Sequence, residues 1–361
     1  MPIFDQGYQH WQGALGGHSW RWLAVTRQGV RQQTRRRRTK ALVALAFAPA
    51  LLLATVLIFW GLLEQQSTIL QPLMFIVQGL PDEVRAGPKA YRLSVWTVAF
   101  QIFFDVETFF AMLLVLTVGP DLVSQDLRFN AMPLYFSRPI RRFDYFVGKL
   151  GVIAVFLASV AIAPAVSAYL LGVAFSLDVG VIADTWRLLA GSVAYGLIVV
   201  LSAGMLMLAV SSLSRNSRLV GATWIGLWVV SNVTAGVLQE TVGRDWCPIV
   251  SYTTNFDRLR EVLLDAPSAR RQFLTLWEAS QARAQQAARI FPFGRRRLQP
   301  PPRAVGPDGL PTTPEDQIPL LLRTPEHVRY PWSWSAGVLG GLFILSAWTL
   351  STRVKSMDRL R

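Results

Sequence analysis

The chain has 361 residues, 52% hydrophobic and 16% charged, and its 36 basic side chains against 22 acidic ones leave a formal charge of +14. Apolar residues gathered in long blocks exclude a soluble globular fold, and basic residues crowded at the block ends argue against nucleic acid and for contact with membrane lipid. The lone Cys247 excludes an intramolecular disulfide framework or a thiolate metal cluster, and His10, His18 and His327 all stand outside the apolar blocks.

Residues 1–40 are polar and Arg-rich, with no apolar core leading to a small-residue cleavage site. The reading is an uncleaved amphipathic connector, with the first span directing insertion. A hydrocarbon core about 30 Å thick needs about 20 apolar residues in a helix. Six segments meet that length: 41–63, 95–118, 147–173, 188–210, 219–238 and 333–351. The fold class is therefore an all-α membrane protein with six transmembrane helices. It divides into the connector 1–40, five spans within 41–238, a long Arg/Pro-rich segment 239–332, the sixth span 333–351 and a tail 352–361.

Basic residues near span ends set orientation. Arg27, Arg31, Arg35, Arg36, Arg37, Arg38 and Lys40 precede span one, and Arg353, Lys355, Arg359 and Arg361 follow span six. The connection between spans two and three carries Arg128, Arg138, Arg141, Arg142 and Lys149, and the short turn between four and five carries Arg215 and Arg218. The connection 176–185 carries only acids. The alternation places both termini in the cytoplasm, which puts 239–332 outside despite its arginines, because loops longer than about 60 residues translocate largely regardless of charge.

Within that segment, 256–291 reads as a helical stretch broken near Pro267. Its Leu259, Val262, Leu263, Phe273, Leu276 and Trp277 recur at spacings of three and four, which predicts a helix lying on the protein or lipid surface. Residues 294–325, with Pro300, Pro301 and Pro302, read as extended or disordered. No internal repeat and no GxxxxGK[ST] loop occurs, so this chain does not bind ATP in the P-loop manner by itself.

The connection 119–149, GPDLVSQDLRFNAMPLYFSRPIRRFDYFVGK, is too long and too patterned for a plain hairpin. A span ending in small residues is followed by Asp126, by Leu134, Tyr135 and Phe136, by Arg138-Pro139 and Arg141-Arg142, and by Tyr145 and Gly148-Lys149 leading into the next span. This arrangement resembles the ABC-2 type permease family, and the resemblance extends from the connector through the SSLSRNSR turn to the closing RVKSMDRL. It implies a non-enzymatic membrane-spanning subunit of an ATP-binding cassette transporter in the cell (inner) membrane, acting mostly as an exporter and paired with a second copy or paralogue. An ABC ATPase partner would hold ATP and Mg, so no cofactor is expected on this chain. The connection between spans two and three would dock on that ATPase, through Asp126, Tyr135, Arg138, Pro139, Arg141, Arg142, Gly148 and Lys149.

The chemistry of the segment agrees with such a role. Guanidiniums can pair with acids on a partner or with lipid phosphate, Pro139 sets a rigid turn, and Tyr135, Phe136 and Phe143 offer anchors for a groove. The plainer alternative is that the arginines enforce topology and the aromatics mark the interface.

Asp105 and Glu107 fall inside span two, where an acid near mid-membrane costs on the order of 2.5 to 3.5 kcal/mol. They line the path of a polar or cationic substrate or meet a dimer seam, or else they are structural and sit near a water-filled crevice. Two residues apart, they cannot share one helix face. A secondary transporter, a membrane enzyme and a non-transporting scaffold are the competing classes. The first would show inverted repeats, the second a cluster of acids, His or Cys at one membrane face, and neither is present in the sequence.

Overall fold

A computed structural model describes residues 20–136, 141–290 and 330–355. No strand occurs among them, and six helices are long and apolar enough to cross a membrane. The connector forms α1 (Arg21–Thr34), and a short break leads into the first span, α2 (Arg37–Glu64). A 3-10 turn (Thr68–Leu73) and the short helices α3 (Met74–Gln78) and α4 (Asp82–Ala86) return the chain to the second span, α5 (Pro88–Val118). Pro88 opens α5 at a position where its missing N–H costs nothing.

Beyond α5 come α6 (Pro120–Arg128) and α7 (Met132–Phe136). The third span is built of α8 (Arg142–Leu157), a π turn (Ala158–Ile162) and α9 (Ala163–Ser176). Pro164 has no N–H for the carbonyl four residues back, and its ring crowds that carbonyl, so the ladder loosens into the π turn just before it. The fourth span, α10 (Gly180–Leu213), has 34 residues and a length of about 50 Å, so it outreaches a bilayer core of about 30 Å. Asn216 caps the fifth span, α11 (Ser217–Val242), by accepting from the Arg218 N–H at 3.0 Å, and Gly243 ends it in the left-handed conformation at φ 63°.

After a 3-10 turn (Cys247–Val250), Ser251 caps α12 (Tyr252–Leu263), and Asp265 at φ 48° turns the chain into α13 (Ala266–Ile290). The sixth span is α14 (Trp332–Lys355). Residues 294–325, which the sequence leads one to expect as extended or disordered, lie outside the described residues.

The core centres on α10, which packs against α5, α6, α8, α9, α12 and α14. Its inward face, Leu188, Tyr195, Val199, Ala203 and Met207, repeats at helical spacing and is buried. The outer faces of α2, α11 and α14 carry exposed Leu51, Leu52, Val230, Val233, Ile344 and Trp348, the surface a bilayer would solvate. At the end of the bundle where α5 begins, Arg92 is 3% exposed and joins three acids: Glu64 through Nε at 2.8 Å, Asp178 at 3.2 Å and Asp184 at 3.1 Å. The clasp fastens the end of α2 and the turn between α9 and α10 to the start of α5. Asp178, with the Gly180 N–H and the Arg92 guanidinium upon it, is pulled down to about 2.

Part of the predicted surface helix turns out to be interior. Phe256, Leu259, Arg260 and Glu261 of α12 are buried between α10, α11 and α14. The backbones of α10 and α12 meet at Gly191, where a Cβ would fall 2.1 Å from the Leu263 carbonyl oxygen. An amphipathic pattern fixes which face seeks apolar surroundings but not whether lipid or a neighbouring helix supplies them. α13 stays peripheral along the first turns of α5, where Gln272 donates to the Ala90 carbonyl at 3.0 Å and accepts from Ser94.

Candidate functional site

The connection between the second and third spans starts without a break in helical backbone, because Gly119 keeps right-handed helical angles and Pro120 begins α6 at N1. The apolar side of α6, Leu122 and Val123, packs on α10. Ser211 of α10 accepts from the N–H groups of Val123 at 3.3 Å and Ser124 at 3.1 Å and donates to the Pro120 carbonyl at 2.9 Å. The side chain of a neighbouring span thus holds three backbone groups of α6 and fixes that helix against α10. Asn130, at φ 51°, then reverses the chain into α7.

The reversal brings Asp126, Tyr135 and Lys149 together. Asp126 accepts from the Tyr145 hydroxyl at 2.7 Å and pairs with Lys149 Nζ at 2.6 Å. The ammonium lies 5.6 Å from the ring centre of Tyr135 and 5.3 Å from that of Tyr145, and the two rings meet edge to face at 5.2 Å. One largely enclosed cation therefore ties α6, α7 and α8. Burial and the Asp126 charge push the Tyr135 phenol above its ordinary value, so it stays neutral and keeps its hydroxyl proton.

Gly148 and Lys149 are not loop residues, since α8 begins at Arg142 and both lie buried on it. The hydropathy segment 147–173 begins five residues after the helix does, because Arg142 and Asp144 count as water-seeking charges. Gly148 is the point where the connector docks: Thr26 of α1 donates to its carbonyl at 2.9 Å, and a Cβ there would fall 2.6 Å from Val25 Cβ. Tyr135 also departs from expectation, as it packs over Lys149 instead of pointing outward. The aromatics that do point outward are Phe129 and Phe143, 72% and 74% exposed, beside exposed Arg128 and Arg141. Arg142 is half-buried at the first turn of α8, and Asp144 accepts from the Arg141 N–H at 3.1 Å to cap that helix. Arg138 and Pro139, and the side chain of Phe136, lie outside the described residues.

Asp105 and Glu107 diverge as their spacing requires. Asp105 reaches out of α5 to pair with Arg260 of α12, which also stands 3.3 Å from Asp257 and over the Tyr195 ring. Burial, opposed by Arg260, pushes Asp257 up to about 6. Glu107 points inward and is 1% exposed, and neither of its carboxylate oxygens has a hydrogen-bond partner among the described residues. Its neighbour Thr108 shares a hydrogen bond of 2.7 Å with Tyr195, and the adjoining Gly196 packs on Ile162 of the π turn. A buried carboxyl and a loosened stretch of helix therefore occupy the same depth of the bundle.

Sequence reasoning did not assign Tyr145, Thr26 or Arg260 to a site. Tyr145 is four residues before Lys149, a spacing that shares a helix face and becomes legible once α8 is started early enough. Nothing in the sequence pairs Thr26 with Gly148 or Arg260 with Asp105. A family model described as ABC-2 family transporter protein matches residues 24–245. No curated protein and no solved structure matches the chain.

Proposed function

Since the chain belongs to the ABC-2 transporter family and has the six apolar helices of a multi-pass permease, we propose that it is the membrane-spanning half of an ATP-driven exporter whose ATPase docks on the connection between α5 and α8. The observation that carries this reading is the Asp126, Tyr135, Tyr145 and Lys149 cluster. A flexible hairpin would absorb a push from a partner, whereas here α7 is clamped to α6 and α8, and α1 is clamped to α8. Force applied at the outward rim of Phe129, Arg141 and Phe143 would pass into the second and third spans together. ATP and Mg would reside on the partner, and the guanidiniums of Arg138, Arg141 and Arg142 would meet its acids. Both termini and this connection would face the cytoplasm of the cell (inner) membrane, following the basic residues at the span ends. A second copy or paralogue would complete the pathway, with the weakly enclosed outer faces of α2, α11 and α14 available to it.

The test is affinity purification of the tagged protein in mild detergent. A P-loop ATPase is expected to accompany it and to be lost when Arg138, Arg141 and Arg142 are changed to Glu. The same reversal at Arg187, Arg244 and Arg271, all exposed, should leave the ATPase bound. A folded protein that brings down no ATPase sinks the reading in favour of a secondary carrier or a scaffold.

A further inference from the structure

Two adjoining cavities of about 770 and 710 Å³ open at the end of the bundle that carries α1 and α6, and both are lined by Asp121, Ser217 and Arg218. Six arginines converge on them from three parts of the chain: Arg36, Arg37 and Arg38 at the start of α2, Arg128 at the end of α6, and Arg215 and Arg218 in the turn between α10 and α11. Among the described residues Asp121 is the one acid in either lining, and it is engaged by Arg36. We propose that this cleft binds the phosphate headgroup of an anionic glycerophospholipid, with an acyl chain running down onto the apolar floor.

The floor distinguishes a lipid from a free anion. Leu116, Thr117 and Gly221 form it, and all three sit inside the apolar spans α5 and α11. The cleft therefore grades from arginines at the rim to hydrocarbon about a turn further in, the polarity profile of a phospholipid at its interface. An acidic segment of a partner protein would match the rim but not the floor. Topology alone explains basic residues at span ends, yet not their convergence around one cavity. The walls are fixed by contacts that need no ligand, including Ser124 to Ser217 at 2.8 Å and Ser211 to Pro120 at 2.9 Å. The first turns of α2 and α11 also open here, adding the partial positive charge of two helix starts. The inference is independent of how the ATPase couples.

The experiment titrates delipidated full-length protein in neutral detergent with dioleoyl phosphatidylglycerol, dioleoyl phosphatidylcholine or inorganic phosphate. Lipid retained in native mass spectrometry and the thermal shift are read together. Phosphatidylglycerol should be retained in preference to phosphatidylcholine. Arg128→Gln, Arg215→Gln and Arg218→Gln together should weaken it on the order of a hundredfold, while Arg27→Gln, Arg31→Gln and Arg35→Gln, an equal charge loss on α1 and its C-cap, should change it by no more than about twofold. Gly221→Leu leaves every arginine in place and fills the floor, so it should lower phosphatidylglycerol retention without altering the response to phosphate; it also decides the matter if the triple variant fails to fold. Equal losses from the two triple variants mean diffuse charge and overturn the proposal. So does inorganic phosphate stabilising as well as the lipid with Gly221→Leu harmless, or loss of a bound ATPase in place of lipid.

Discussion

Replacing Lys149 by Met removes the cation from a cluster whose Asp126 and Lys149 side chains are only 15% and 10% exposed. Asp126 is then left largely buried with one neutral donor, the Tyr145 hydroxyl at 2.7 Å. Breaking a buried pair from one side costs about 3–5 kcal/mol, and the lost contact with two aromatic faces lies within that figure. At about 2–4 °C per kcal/mol for a domain of 150–250 residues, the melting temperature in detergent should fall by roughly 10 °C. Changing both partners, Asp126→Leu with Lys149→Met, removes the orphaned charge and should recover all but about 1–2 kcal/mol, the remainder coming from the Tyr145 hydroxyl losing its acceptor. The assay is the thermal melting of the four proteins of the cycle at one pH and lipid content. A single variant that melts within about 2 °C of the parent, or a double variant whose loss equals the sum of the singles, refutes the clamp.

Arg92→Met should be as damaging, about 3–5 kcal/mol, because it strands the buried Glu64 carboxylate, and Arg92→Lys should recover only part of it in the same melting assay. Gly191→Ala places a methyl 2.1 Å from the Leu263 carbonyl and should cost about 1–3 kcal/mol or more by prising α12 from α10, visible as faster proteolysis between α12 and α13. Asp257, raised to about 6 from an ordinary 3.8, disfavours the fold when ionised; protonation as pH falls from 7 through 6 towards 4 should stabilise the parent by up to about 2–3 kcal/mol, and Asp257→Asn should flatten that slope. Glu107→Leu should leave stability unchanged or raise it, since an unpartnered carboxyl is replaced by an apolar side chain, and a fall in transport without a fall in melting temperature would assign the carboxyl to the transport path.

The spans were legible in the sequence because length and hydropathy are local properties: 41–63 appears as Arg37–Glu64 and 333–351 as Trp332–Arg353, each widened by the polar turns that hydropathy trims. The divergence of Asp105 from Glu107 was legible for the same reason, since helical spacing alone separates them. Tertiary structure decided how each charge is accommodated. The Lys149 charge can be enclosed within its membrane-spanning helix because Asp126, 23 positions away, lies beside it, and Arg260 enters the bundle because Asp105, 155 positions away, meets it there. A charge can be buried only where a partner supplies what water would have supplied, and that partner is set by how helices pack, not by the residues next in line.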